Sequence, residues 1–258
     1  MRYRPDYYDE FVCIADKCKN TCCAQWEIDV DEVSLERFMK HPDIAEHVED
    51  GCIVLKEDGN CPFLNEKGLC KMILKYGEDM LCDVCTDHPR YISEIGDDEF
   101  IGVGISCEAA CDLILNRKEQ FKLIPPLELP LVDRVFECED SLTELLDSLS
   151  PDEASPVDHA KLLKTFEILE PEWKLMLDKV IKQQVSAEAR DSFIDSNLMK
   201  FKNLMGYFLL RHDNDFYLAA ISSRIIAELC VANKMTMEDV ARMYSAEIEY
   251  SDINCDLL

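Results

Sequence analysis

Four cysteines fall within eleven positions near the start of the chain: Cys13, Cys18, Cys22 and Cys23, the last two adjacent. Thiolates are soft ligands suited to zinc or to iron–sulfur clusters. Structural zinc sites favour cysteine pairs with two residues between them, and in this chain only Cys82 and Cys85 have that spacing. Side chains of adjacent residues leave the backbone in different directions, so Cys22 and Cys23 point to a cluster or to two neighbouring centres, not to one isolated ion. Further thiols lie at Cys61, Cys70, Cys82, Cys85, Cys107 and Cys111. Of the 14 cysteines, eleven lie between Cys13 and Cys111, and this clustering argues for metal or redox work in that stretch. Cys52 and the scattered Cys138, Cys230 and Cys255 read as core thiols, which pack as small hydrophobes. His88, inside "CDVCTDHPR", is a weaker ligand candidate, since thiols suffice without it.

The setting supports reduced thiols. No apolar run is expected to reach the roughly 18 residues of a membrane helix. The opening "MRYRPDYYDEF" lacks the apolar stretch of a secretory leader, so a cytoplasmic protein without a disulfide framework is expected. The formal charge of -26 argues against nucleic acid and anionic membranes as partners, because both are held by clustered lysine and arginine. A lysine-bearing substrate would be steered favourably by the same field.

The elements that must hold these thiols fall into two regions. Residues 1–122 read as a cysteine-rich, metal-binding α+β region. Hairpins are predicted around Asp58-Gly59-Asn60 and Gly96-Asp97-Asp98, and short helices over "DEVSLERFMK", "CKMILKYG" and "CEAACDLILNRKEQ". Residues 123–133, with Pro125, Pro126 and Pro130, read as an extended connection. From 134 to 258, apolar residues recur at three- and four-residue intervals, which predicts a C-terminal helical bundle. Pro171 marks one helix start, and Thr236 with Asp239 marks another. The fold class expected is α+β, predominantly α.

Four blocks occur in order: "FVCIADKCKNTCCAQWEIDVD", "CPFLNEKGLCKM", "GEDMLCDVCTDHPRYI" and "ISCEAAC". Together they resemble the flagellin lysine N-methylases and the wider group of zinc- or iron-chelating cysteine-cluster proteins. The resemblance covers about residues 7 to 115, with a fainter echo in "FKNLMGYFLLRH". It implies metal ligation by Cys13, Cys18, Cys22, Cys23, Cys61, Cys70, Cys85 and Cys107, with Cys82 and Cys111 as additions. It also implies an iron–sulfur cluster, 4Fe-4S in type, with zinc as the alternative. The reaction implied is methyl transfer from S-adenosylmethionine to lysines of flagellin or another lysine-bearing protein. The chain is shorter than that family leads one to expect.

The residues support this reaction unevenly. The "GVG" at 102–104 sits in an expected hairpin and does not open a nucleotide-binding helix, so a conventional methyltransferase site is disfavoured. The usual radical spacing fails as well, because Gln25 stands where a third cysteine would come after Cys18 and Cys22. An attacking lysine must be neutral, which asks for a base or a desolvating pocket; Glu27, Asp29, Asp31 and Glu108 are the acids beside the motifs. Arg90 carries a fork suited to the carboxylate of S-adenosylmethionine or to a structural ion pair. Trp26 and Tyr91 are expected to pack around the site.

Overall fold

Asp50 and Gly51 both hold positive φ, 50° and 84°, between two-residue strands at Val48–Glu49 and Cys52–Ile53. A two-residue loop with positive φ at both positions matches the right-handed twist of its flanking strands, and Asp-Gly is the pair that tolerates it. The turn expected at Asp58-Gly59-Asn60 is also present, closed by the Gly59 amide on the Lys56 carbonyl at 2.8 Å, but it carries no strands of its own. The hairpin of this region therefore lies one turn earlier in the chain. The computed structural model describes every residue except Gln25, Glu27 and Leu258, and every side chain among these except those of Asp252, Cys255 and Asp256.

Two compact units emerge. One is the continuous stretch Val12–Arg90, and the other combines Met1–Phe11 with Tyr91–Leu258. The expected boundary at 122 is replaced by two boundaries, at 11/12 and 90/91, and the physical reason is the first strand. Arg2–Pro5 runs parallel to Asp98–Val103, with Tyr3 opposite Phe100, and antiparallel to Leu123–Ile124. The sheet order is Arg90–Ile95, Asp98–Val103, Arg2–Pro5, Leu123–Ile124, so the chain start is an interior strand of the larger unit. The proline-rich stretch is not a linker. It supplies the edge strand Leu123–Ile124 and then opens the helix Pro130–Glu137, because proline at the first helical position loses no hydrogen bond.

The helices expected in the second half form, with Pro171 at the start of Pro171–Gln183 and Thr236 capping Met237–Ile248 by accepting the Asp239 amide at 3.2 Å. An additional helix, Ala187–Ser196, is capped by Ser186. The protein is thus α+β and mainly α. Phe216–Asn233 corrects one expectation: at 18 residues and mean hydropathy 1.3 it is long and apolar enough to cross a membrane. In the fold it is the buried central helix of the bundle. Its Arg224 donates to Asp147 at 2.8 Å and to the Ser150 carbonyl at 2.9 Å, while Glu228 is hydrogen-bonded by His159 Nδ1 at 2.9 Å. Tyr91 packs inside this unit, its hydroxyphenyl carbon lying 2.3 Å from where a Cβ on Gly102 would stand. Gly102 therefore serves close packing, and Tyr91 is a core residue of the bundle-bearing unit.

Candidate metal centre

Within Val12–Arg90 the segment after Cys22 runs antiparallel to the segment after the hairpin. The Val30 amide donates to the Gly51 carbonyl at 2.8 Å, the Ile53 amide to Ile28 at 2.9 Å, and the Cys61 amide to the Cys23 carbonyl at 2.8 Å. This pairing carries Cys23 beside Cys61. From there the chain turns at Asn65, whose side chain accepts the amides of Lys67 and Leu69 at 2.8 and 3.0 Å. It returns so that the Lys71 amide meets the Phe63 carbonyl at 2.7 Å, which brings Cys70 alongside at the start of the helix Lys71–Tyr76.

The last pair of thiols is fixed by a different element. Asp31 caps the helix Glu32–Phe38 by accepting the Ser34 amide on Oδ1 at 2.8 Å, and its Oδ2 accepts the Asp83 amide at 3.1 Å. Arg37 on the same helix donates to the Leu81 carbonyl at 2.8 Å. Cys82 thereby stands directly before the short helix Asp83–Asp87, and Cys85 lies one turn along. Cys61 and Cys82 join Ile28, Phe38, Phe63 and Met72 in one apolar cluster, with Cys23, Cys70 and Cys85 packed against it.

The thiols of this unit influence one another's charge. Cys22 hydrogen-bonds Cys23 and draws its thiol down to about 6 against the opposing effect of burial. Cys85 does the same for Cys82, drawing it to about 7, while Cys85 itself is pushed up, first by that hydrogen bond and then by burial. Burial pushes Cys61 up to about 11 and also raises Cys70. Charge on Cys23 reaches Cys61, Cys70 and Cys85, and charge on Cys82 reaches Cys70 and Cys85. Cys23, Cys61, Cys70, Cys82 and Cys85 thus lie in or against one apolar cluster, with the exposed Cys22 bonded to Cys23 at its margin, and soft thiol donors of this kind suit zinc or an iron–sulfur cluster. Among the described residues, no group of three or more His, Cys, Asp or Glu side chains is placed so that it could hold a metal ion.

The remaining candidates separate. Cys13 is exposed and Cys18 half-buried in the same unit. Cys107 and Cys111 belong to the other unit, Cys107 directly before the helix Glu108–Leu115 and Cys111 buried with its Sγ donating to the Glu238 carbonyl at 3.5 Å. Cys52 is half-buried and donates to Asp29 Oδ1 at 3.1 Å, Cys138 donates to the Ser141 carbonyl at 2.9 Å, and Cys230 is buried. The described cysteines are thiols, not disulfides. His88 is held neutral, down to about 4 by burial, with its ring edge-on to Trp26 at 5.9 Å. Arg90 is exposed at the start of its strand. Asp31 ties Ser34 to Asp83 and is kept down to about 2 by those hydrogen bonds, while Asp29 accepts from the Cys52 thiol. Glu27, Gln25 and the side chain of Cys255 lie outside the described residues. The positioning residues Asp31 and Arg37 were not singled out for that role in the sequence, although an aspartate immediately before a helical pattern is an N-cap signal.

Comparison with known proteins finds similarity to two proteins named lysine-N-methylase, from Salmonella choleraesuis and Salmonella typhimurium, each 25% identical over 134 residues. The aligned stretch covers 46% of this chain and 33% of each methylase. A flagellar biosynthetic protein FliU from Salmonella muenchen is 25% identical over 134 residues, 79% of its own length. No protein-family model matches the chain. No solved structure matches it either.

Proposed function

We propose that this protein is a lysine N-methylase that acts in the cytoplasm on flagellin or another lysine-bearing protein, with S-adenosylmethionine as methyl donor. The observation that carries the reading is the similarity to proteins named lysine-N-methylase, together with the flagellar name of a third relative. In this reading Cys22, Cys23, Cys61, Cys70, Cys82 and Cys85 supply the ligands of a 4Fe-4S cluster or of zinc. When bound, such a centre supplies a Lewis-acidic or redox-active metal next to the apolar cluster. The chain's own residues set the surroundings: Phe63 and Met72 keep the thiols in an apolar environment, and Asp31 and Arg37 hold the Cys82–Cys85 segment in place. Arg90, exposed directly after Pro89, offers a bidentate fork for the carboxylate of S-adenosylmethionine. The glycines at 102 and 104 play no such part in this reading, since Gly102 accommodates Tyr91.

A second reading, a non-catalytic zinc- or iron-chelating protein, is favoured by one observation: Val12–Arg90 is a compact unit with an apolar cluster of its own. The two readings divide on one experiment. Flagellin from cells with and without the gene is compared by mass spectrometry, and loss of lysine methylation without the gene is expected. Unchanged methylation, with metal still bound by the purified protein, would leave the chelating reading in its place.

A further inference from the structure

The stretch Phe121–Asp133 lines a groove of about 760 Å³ on the larger unit, open beside the edge strand Leu123–Ile124. Phe121 and Val132 are buried at its base, while Ile124 and Leu127 remain 38% exposed. Glu128 lines it together with Lys122, Asp6, which Arg117 pairs at 2.9 Å, and Asp133, which accepts from the Gln120 side-chain amide at 2.8 Å. An open apolar groove takes extended polypeptide, whose alternate side chains settle into it; the two-residue edge strand, followed by Pro125 and Pro126, adds little backbone pairing of its own. The acidic lining then selects for positive charge, and a lysine suits both features because its stem is aliphatic and its end is cationic.

From this we infer that the groove docks an extended, lysine-bearing segment of a partner protein, with an aliphatic side chain against Leu127 and a lysine against Glu128. Its biological meaning, recognition of the segment that carries the target lysine, rests on the lysine-methylase reading; the binding itself does not.

The test uses the full-length protein and a fluorescein-labelled peptide of alternating lysine and valine, followed by fluorescence anisotropy. A matched peptide of alternating glutamate and valine is the control. Glu128→Lys should weaken binding of the lysine peptide. Leu127→Asp is the decisive variant. Diffuse attraction to a protein of charge -26 would make the added carboxylate strengthen binding, whereas the groove predicts roughly tenfold weaker binding from loss of one aliphatic anchor. Both positions are exposed, and thermal melts confirm that the variants stay folded. Unchanged or tighter binding by Leu127→Asp, or equal binding of the glutamate peptide, overturns the proposal. Methyl transfer to lysine that Leu127→Asp leaves untouched also overturns the docking while sparing the methylase reading. Groove-dependent binding without methyl transfer has the opposite meaning.

Discussion

Asp31 and Asp83, 52 positions apart, are joined by a carboxylate oxygen accepting a backbone amide at 3.1 Å, and the same carboxylate caps the helix Glu32–Phe38. One side chain thus ties a helix start to the segment carrying Cys82 and Cys85. Asp31→Ala should lower both the melting temperature and the metal content, because it frees the Cys82 segment as well as an N-terminal amide. Glu32→Ala, exposed in the same first turn, should do neither. Equal metal content in wild type and Asp31→Ala would show that the thiols gather without this tie.

The thiols in and around the apolar cluster give a graded expectation for metal content, measured with acid-labile sulfide and visible absorption on anaerobically purified protein. Cys61→Ser and Cys82→Ser remove sulfurs from the buried cluster and should deplete the metal strongly. Cys138→Ser and Cys230→Ser, whose sulfurs lie in the bundle-bearing unit, should leave it unchanged. Cys107→Ser is the informative intermediate. Retained metal is expected, since the proposed ligands all lie within Val12–Arg90, and depletion would contradict that ligand set.

Gly102→Ala would put a methyl carbon 2.3 Å from the Tyr91 ring, closer than any unstrained contact. Tyr91 is itself held by the Arg211 guanidinium, 4.2 Å from its ring centroid, and by Tyr207 edge-on at 6.1 Å, so it has little room to give. Overpacking of this kind costs about 1–3 kcal/mol. A double-mutant cycle with Tyr91→Ala should show strong coupling, since the clash vanishes with the ring. Additive losses in denaturant melts would mean that Gly102 matters for another reason.

Two buried glutamates near the end of the last long helix pull stability in opposite directions with pH. Burial raises Glu247 from its ordinary 4.5 to about 7, against the amides of Leu169 and Glu170 that bond it. Its contribution is complete below pH 4.5 and is lost as pH climbs through 7. For Glu249 burial also pushes upward, but the hydrogen bond and charge of His212 and the charge of Arg211 prevail and hold it below 4.5. Its contribution is complete above that value and is lost as the solution becomes more acid. Melting temperature against pH should therefore flatten on the neutral side in Glu247→Gln. Glu249→Gln should remove part of the acid-side slope and cost about 3–5 kcal/mol overall, because Arg211 and His212 are left without their carboxylate. Parallel profiles for wild type and both variants would contradict this assignment.

The helices of the second half were legible because their signals are local: apolar spacing, Pro171 at a first turn, and Thr236 three residues before Asp239. The cysteine clustering was legible from composition alone. The unit boundaries were not, because the strand Arg2–Pro5 is defined by partners 97 positions away in Asp98–Val103, and no four-residue stretch announces a distant partner. Pro130 misled for a related reason, since a proline ends a helix or begins one depending on whether the helical pattern lies before it or after it. Asp31 looked like a candidate for amine chemistry beside a motif, and only the fold shows that both its oxygens are engaged by Ser34 and Asp83.

The interior position of Arg2–Pro5 also orders events during synthesis. Arg2–Pro5 is made before both of its sheet neighbours, Asp98–Val103 and Leu123–Ile124, which follow roughly 100 residues later. The whole of Val12–Arg90 emerges in between. The thiol-bearing unit can therefore fold while Arg2–Pro5 still waits for its sheet.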